Sequence, residues 1–120
     1  MSKKTLVIGA STTTSRYSNM AMHKLVQHQH PVEAIGAKEG AVDGIQIHAD
    51  KPAFENIDTV TMYIGPARQP EYYDYILSLK PKRIVFNPGT ENDELYKLAN
   101  NNGIQTVEAC TLVMLSIGNY

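Results

Sequence analysis

Short apolar runs alternate with helically periodic stretches along the chain, and this alternation limits the fold more than any other feature. "TLVIG" (5–9) reads as a buried strand ending in a turn. Over residues 19–29 the pairs Ala21/Leu25 and Met22/Val26 are spaced four apart, a helical face. "VEAIG" (32–36) reads as a second strand, entered after Pro31. A glycine-punctuated loop follows, "GAKEGAVDG" (36–44), then a short extended piece, "IQIHA" (45–49). "TVTMYI" (59–64) is rich in β-branched and aromatic residues and reads as a strand.

The second half repeats the pattern. Residues 69–79 read as a helix with Tyr72, Ile76 and Leu79 on one stripe, stopped by Pro81. "RIVFN" (83–87) is the next strand. Asn92 suits the cap of a helix carrying Leu95, Leu98 and Ala99, and Gly103 suits its left-handed end. "IQTVEA" (104–109) is a further strand. "TLVMLSI" (111–117) is ambiguous by period, but its place after a strand favours a helix.

Strand–helix alternation with short connections predicts a doubly wound parallel sheet, an α/β Rossmann-like fold in three α/β/α layers. A chain of 120 residues suits one domain, here 1–120. Such sheets bind ligands beyond the carboxyl ends of their strands, where strand order reverses. Four segments follow strands and become the candidate site: 9–18, 36–44, 65–69 and 87–92.

Composition excludes several partners. The net charge of -1 gives no basic field for nucleic acid or an anionic membrane. No apolar run approaches the length of a membrane span. The basic start "MSKK" leads only to the apolar run 6–8, too short for a signal-peptide core, so a cytoplasmic location is expected. A single cysteine, Cys110, makes no internal disulfide and no zinc site alone.

The segment "VIGASTTTSRYS" (7–18) carries the chemistry. At this place in an α/β fold, backbone N–H groups and the positive end of a helix meet an anion. Gly9 permits a tight turn, Ala10 and Ser11 allow close approach, and the six serine and threonine hydroxyls from Ser11 to Ser18 can donate. Arg16 adds a fork of donors suited to phosphate oxygens. The segment is neither G-x-G-x-x-G, since Ser11 takes the second glycine's place, nor a P-loop. After the second strand, where a ribose-binding acid is expected, stands Lys38, with Glu39 beside it. A lysine there favours an additional phosphate over a bare ribose diol. Coenzyme A carries both a pyrophosphate and a ribose 3′ phosphate.

"VIGAS…SRYS", "IGAKEGAVDGIQI", "TMYIGP", "FNPGTEN" and "VEACTLVML" together resemble the small CoA-binding domain proteins of bacteria, similar to the N-terminal domain of the succinyl-CoA synthetase α subunit. The resemblance runs from about residue 4 to 120. It implies that Gly9, Ala10, Ser11, Ser15, Arg16 and Tyr17 hold the CoA phosphates. It implies that Gly36, Ala37 and Lys38 meet the adenosine and its 3′ phosphate. It puts Ile64, Gly65, Pro66 and Gln69 in the wall beside adenine and pantetheine, and Asn87, Pro88 and Gly89 near the pocket mouth. Where relatives carry proline, this chain has threonines before Ser15.

The resemblance implies binding of coenzyme A or an acyl-CoA, and because the sequence shows no catalytic constellation no catalysis by the chain itself is expected. The ligase's phosphohistidine domain has no counterpart here. His28 and His30, at the end of the first helix, are expected to cap carbonyls, His23 to lie along that helix, and His48 to lie on or near an edge strand. No metal site is expected. Cys110 is expected to open the last helix, either as a thiol activated there or, preferred, as a buried cysteine against Leu112 and Met114. Tyr72 is expected to pack inward, and Tyr73 and Tyr75 to cover the helix sides. The competing reading is an NAD(P)-binding redox enzyme or sensor, NADP using Lys38 and Arg16. A third is a module that works through a protein partner. A homodimer fits any of them.

Overall fold

The computed structural model describes residues 2–120. In chain order the elements are β1 (Thr5–Ile8), α1 (Tyr17–Gln27), β2 (Val32–Ile35), β3 (Gly40–Val42), β4 (Ile45–His48) and β5 (Thr59–Met62). Two 3₁₀ turns follow, Pro66–Arg68 and Pro70–Tyr72, then α2 (Tyr73–Leu79), β6 (Arg83–Phe86), α3 (Asp93–Asn101), β7 (Gln105–Glu108) and α4 (Thr111–Ile117). The seven strands form one sheet in the order β3-β4-β2-β1-β5-β6-β7. All neighbours are parallel except β3 and β4.

The alternation of side chains across the strands makes the two cores. Leu6 and Ile8 join Val60, Met62, Ile84 and Phe86 on one face, covered by Ile76 of α2 and Leu95 and Ala99 of α3. Val7, Ala34 and Ile47 lie on the other, covered by Met22 and Leu25 of α1 and Leu115 of α4. Each buried Val, Leu, Ile, Met or Phe among them contributes about 1.5–3 kcal/mol by leaving water. This is the expected doubly wound, three-layer α/β fold.

Two segments differ from the sequence reading. The loop expected over 36–44 contains β3, which turns back on β4 as an antiparallel hairpin: Val42 pairs with Ile45 and Gly40 with Ile47. The turn is Asp43–Gly44, both at positive φ (52° and 80°), the two-residue form that suits strand twist. β3 therefore holds the edge, and His48 sits one strand inside it, its ring edge-on to Phe54. The helix expected over 69–79 begins only at Tyr73. Pro66 and Pro70 break the approach into the two 3₁₀ turns. Asn92 caps α3, its side-chain oxygen accepting from the amides of Glu94 and Leu95.

Chain order reverses between β1 and β5, which feed α1 and α2 on opposite faces. The crevice at their carboxyl ends is where this architecture places a ligand.

Candidate functional site

Gly9 ends β1 at φ 98°, and a Cβ there would stand 2.9 Å from Tyr63 C and from Ile64 Cγ2. The loops after β1 and β5 thus converge on a position that admits only glycine. The amides of Gly9 and Ala10 both donate to Ile35 O at 2.9 Å. They tie the first loop to the end of β2, which commits both N–H groups to the protein. The open donors lie further on. Ser11 and Thr12 amides have no acceptor among the described residues, and no side chain caps α1. Asn19 Nδ2 donates to Ser11 O at 3.0 Å from within α1 and holds the loop in place.

A cavity of about 320 Å³ opens over this loop. Among its lining residues, Gly9, Ala10, Ser11, Arg16, Ala37, Lys38 and Ile64 were expected from sequence. Tyr63, Thr12, Thr13 and Arg68 complete it. Arg16, Lys38 and Arg68 come from three different loops and are all exposed. Three cations facing one cavity in a chain of net charge -1 form a local field suited to a polyanion. Arg68 was missed because nothing local in "GPARQP" marks which side the arginine takes. The 3₁₀ turn decides that.

A second cavity, of about 290 Å³, adjoins the first through Tyr63. Tyr17, Asn87, Pro88, Cys110 and Leu112 form the rest of its wall, which is mostly apolar. Tyr17, assigned by resemblance to the phosphates, stands here. Cys110 occupies the cap position of α4 and is half-buried, not the fully buried cysteine preferred from sequence. Burial raises the pKa of Tyr63, and the nearby Cys110 raises it further, against Thr111 and Thr61 hydroxyls that lower it. The Tyr63 hydroxyl has no partner in hydrogen-bonding geometry among the described residues.

Of the remaining expected residues, Asn87 and Pro88 line the second cavity, whereas Ser15, Gly36, Gly65, Pro66, Gln69 and Gly89 line neither. Gly36 is buried against the first loop, and Ser15, Gly65, Pro66 and Gly89 are exposed beside it. Gln69 is fully buried; its Nε2 donates to Ile64 O and Thr90 O, and its Oε1 accepts from Asn92 Nδ2. Asn87 is 2% exposed, donates to Thr61 Oγ1 and Met62 O, and accepts from the Thr111 amide. Both amides therefore clamp the loops after β5 and β6, and their polar atoms are committed to the protein.

The family model for the CoA binding domain matches residues 3–116. The chain belongs to the CoA binding domain family. An uncharacterized protein of solved structure is 50% identical, with TM-score 0.97, over 100% of this chain and 99% of that one. A hypothetical protein from Pyrococcus horikoshii OT3 shares 24% identity and TM-score 0.88, over 97% of this chain and 83% of its own. The acetyl-coenzyme A synthetase 1 of Ca. Korarchaeum cryptofilum, solved with phosphate and ADP, shares the fold at 14% identity and TM-score 0.74, over 90% of this chain and 26% of that one. No curated protein matches the chain.

The CoA binding domain has other features that bear on chemistry. A larger cavity, about 600 Å³, lies at the opposite end, between Ser2, Lys3, His28, His30 and Tyr120. It adjoins the start of β1 and the carboxyl ends of α1 and α4, away from the strand-end crevice. His30 does not cap carbonyls there: its Nδ1 accepts from the Lys3 amide at 2.9 Å. His23 lies on α1 beside Asp43. Tyr72, Tyr73 and Tyr75 all pack partly against the core. No group of three or more His, Cys, Asp or Glu among the described residues is placed to hold a metal. No helix is long and apolar enough to cross a membrane.

Proposed function

We propose that the protein binds coenzyme A or an acyl-CoA, capturing its phosphates at the β1–α1 loop, and performs no catalysis by itself. The convergence of Arg16, Lys38 and Arg68 on one cavity at the strand-order reversal carries this reading. Phosphate oxygens would meet the open amides of Ser11 and Thr12, the start of α1 and the Arg16 fork. Lys38, beyond β2, suits the 3′ phosphate. Ala37 and the β3–β4 hairpin would border the adenosine. Family membership supports a CoA-related ligand.

Titration calorimetry with CoA, dephospho-CoA, NAD and NADP tests the proposal. CoA binds, and dephospho-CoA binds more weakly. Binding of NADP or NAD without CoA overturns the reading in favour of redox chemistry. Silence with all four favours a protein partner instead.

A further inference from the structure

The two adjoining cavities differ in character. One is ringed by three cations; the other is walled by Tyr17, Tyr63, Pro88, Leu112 and the Cys110 thiol. They share Tyr63, so a single ligand held by its phosphates in the first reaches the second across one side chain. The polar atoms of Asn87 face inward bonds, leaving that wall without a committed charge. Tyr17 is 70% exposed, an aromatic lip with no covering element among the described residues.

We infer that the apolar cavity between α1 and α4 seats a short acyl group carried on the ligand's sulfur, so that the physiological ligand is an acyl thioester of CoA and not the free thiol. This rests on the CoA reading above. A free thiol leaves the cavity half-filled by water, whereas a short aliphatic chain removes apolar wall and apolar chain from water together. The cavity takes an uncharged acyl group, because its wall offers no cation to a terminal carboxylate.

Calorimetry compares CoA, acetyl-CoA and butyryl-CoA on the wild-type protein. Each added methylene tightens binding about fourfold, and Leu112→Trp, which puts an indole into the cavity wall, shrinks the difference between butyryl-CoA and CoA. A second readout needs no variant. Butyryl-CoA slows alkylation of Cys110 by a thiol-reactive probe, and adenosine 3′,5′-bisphosphate, which has no tail, does not. If CoA binds but butyryl-CoA binds no tighter, the acyl seat is wrong and the CoA reading stands. If the bisphosphate protects Cys110 equally, the cavity holds the adenosine end and the inference falls. If neither CoA nor either thioester binds, both readings fall together.

Discussion

A Cβ placed on Gly36 would stand 2.2 Å from the carbonyl oxygen of Ala10. The loop leaving β1 and the end of β2 are therefore in backbone contact, and the same approach is held by two amides donating to Ile35 O. Backbone cannot swing aside as a side chain does. Gly36→Ala must part the two loops or distort both. The expected cost is about 1–3 kcal/mol in urea unfolding, together with weaker CoA binding, because the displaced loop carries the open amides of Ser11 and Thr12 proposed to meet the phosphates. An alanine variant as stable as wild type would show that the two loops are not locked together.

The three cations act from separate loops, so each can be removed without breaking a shared network. Arg16→Ala, Lys38→Ala and Arg68→Ala should each weaken CoA about tenfold, the scale of a charge-assisted hydrogen bond. Thermal unfolding should change little, since all three side chains are exposed. Lys38→Ala should also narrow the gap between CoA and dephospho-CoA. Raising the salt to 1 M should shrink every difference, the Debye length falling to about 3 Å. Calorimetry at two salt concentrations decides the matter; unchanged affinity in all three variants would move the anion site elsewhere.

The strands, the cap at Asn92 and the site's first loop were legible because each depends on local pattern: apolar runs, a capping residue, glycine before a helix. The β3–β4 hairpin was equally legible in principle. Asp43–Gly44 between "AV" and "IQI" is a two-residue turn signal, but the glycines around it drew the segment into one loop. Pro70, which has no amide to donate, heads the 3₁₀ turn Pro70–Tyr72 that precedes the late start of α2. Arg68 and Tyr63 were not legible. Their roles follow from where a 3₁₀ turn and a strand end point in space, and "TMYIGPARQ" carries no period that says so. The resemblance places Gln69 in the pocket wall and Asn87 near its mouth, and Asn87 does line the second cavity. Only the long-range bonds to Thr90, Asn92, Thr61 and Thr111 reveal that they bind the protein to itself.

Asn92 joins those clamps to α3. Its oxygen accepts from two amides at the helix start, while its Nδ2 donates to Gln69 Oε1 and Tyr73 OH. Asn92→Ala loses the cap, about 1 kcal/mol, and also leaves the buried Gln69 oxygen unpaired, about 1–3 kcal/mol more. Asn92→Asp keeps the cap and loses the donor. Urea unfolding should therefore rank wild type above Asp and Asp above Ala. An Asp variant as stable as wild type would mean that the bond to Gln69 contributes nothing, and equal losses in the two variants would mean that the cap contributes nothing.

His30 supplies a pH dependence of stability. Its pKa lies below the ordinary 6.5, first because burial disfavours the charged ring, then because Lys3, His28, the amino terminus and Arg83 are cationic. The geometry agrees: Nδ1 accepts the Lys3 amide, which only an unprotonated Nδ1 can do. Above 6.5 the ring is neutral folded and unfolded, and its full contribution is present. As pH falls below 6.5 the unfolded chain takes up the proton first, so the contribution declines until the folded pKa is passed. His30→Asn places an amide oxygen where the accepting nitrogen stood and removes the titration. Unfolding free energies measured from pH 7.5 down to 5 should drop less steeply in the variant than in wild type. Parallel curves would assign the acid sensitivity to other groups.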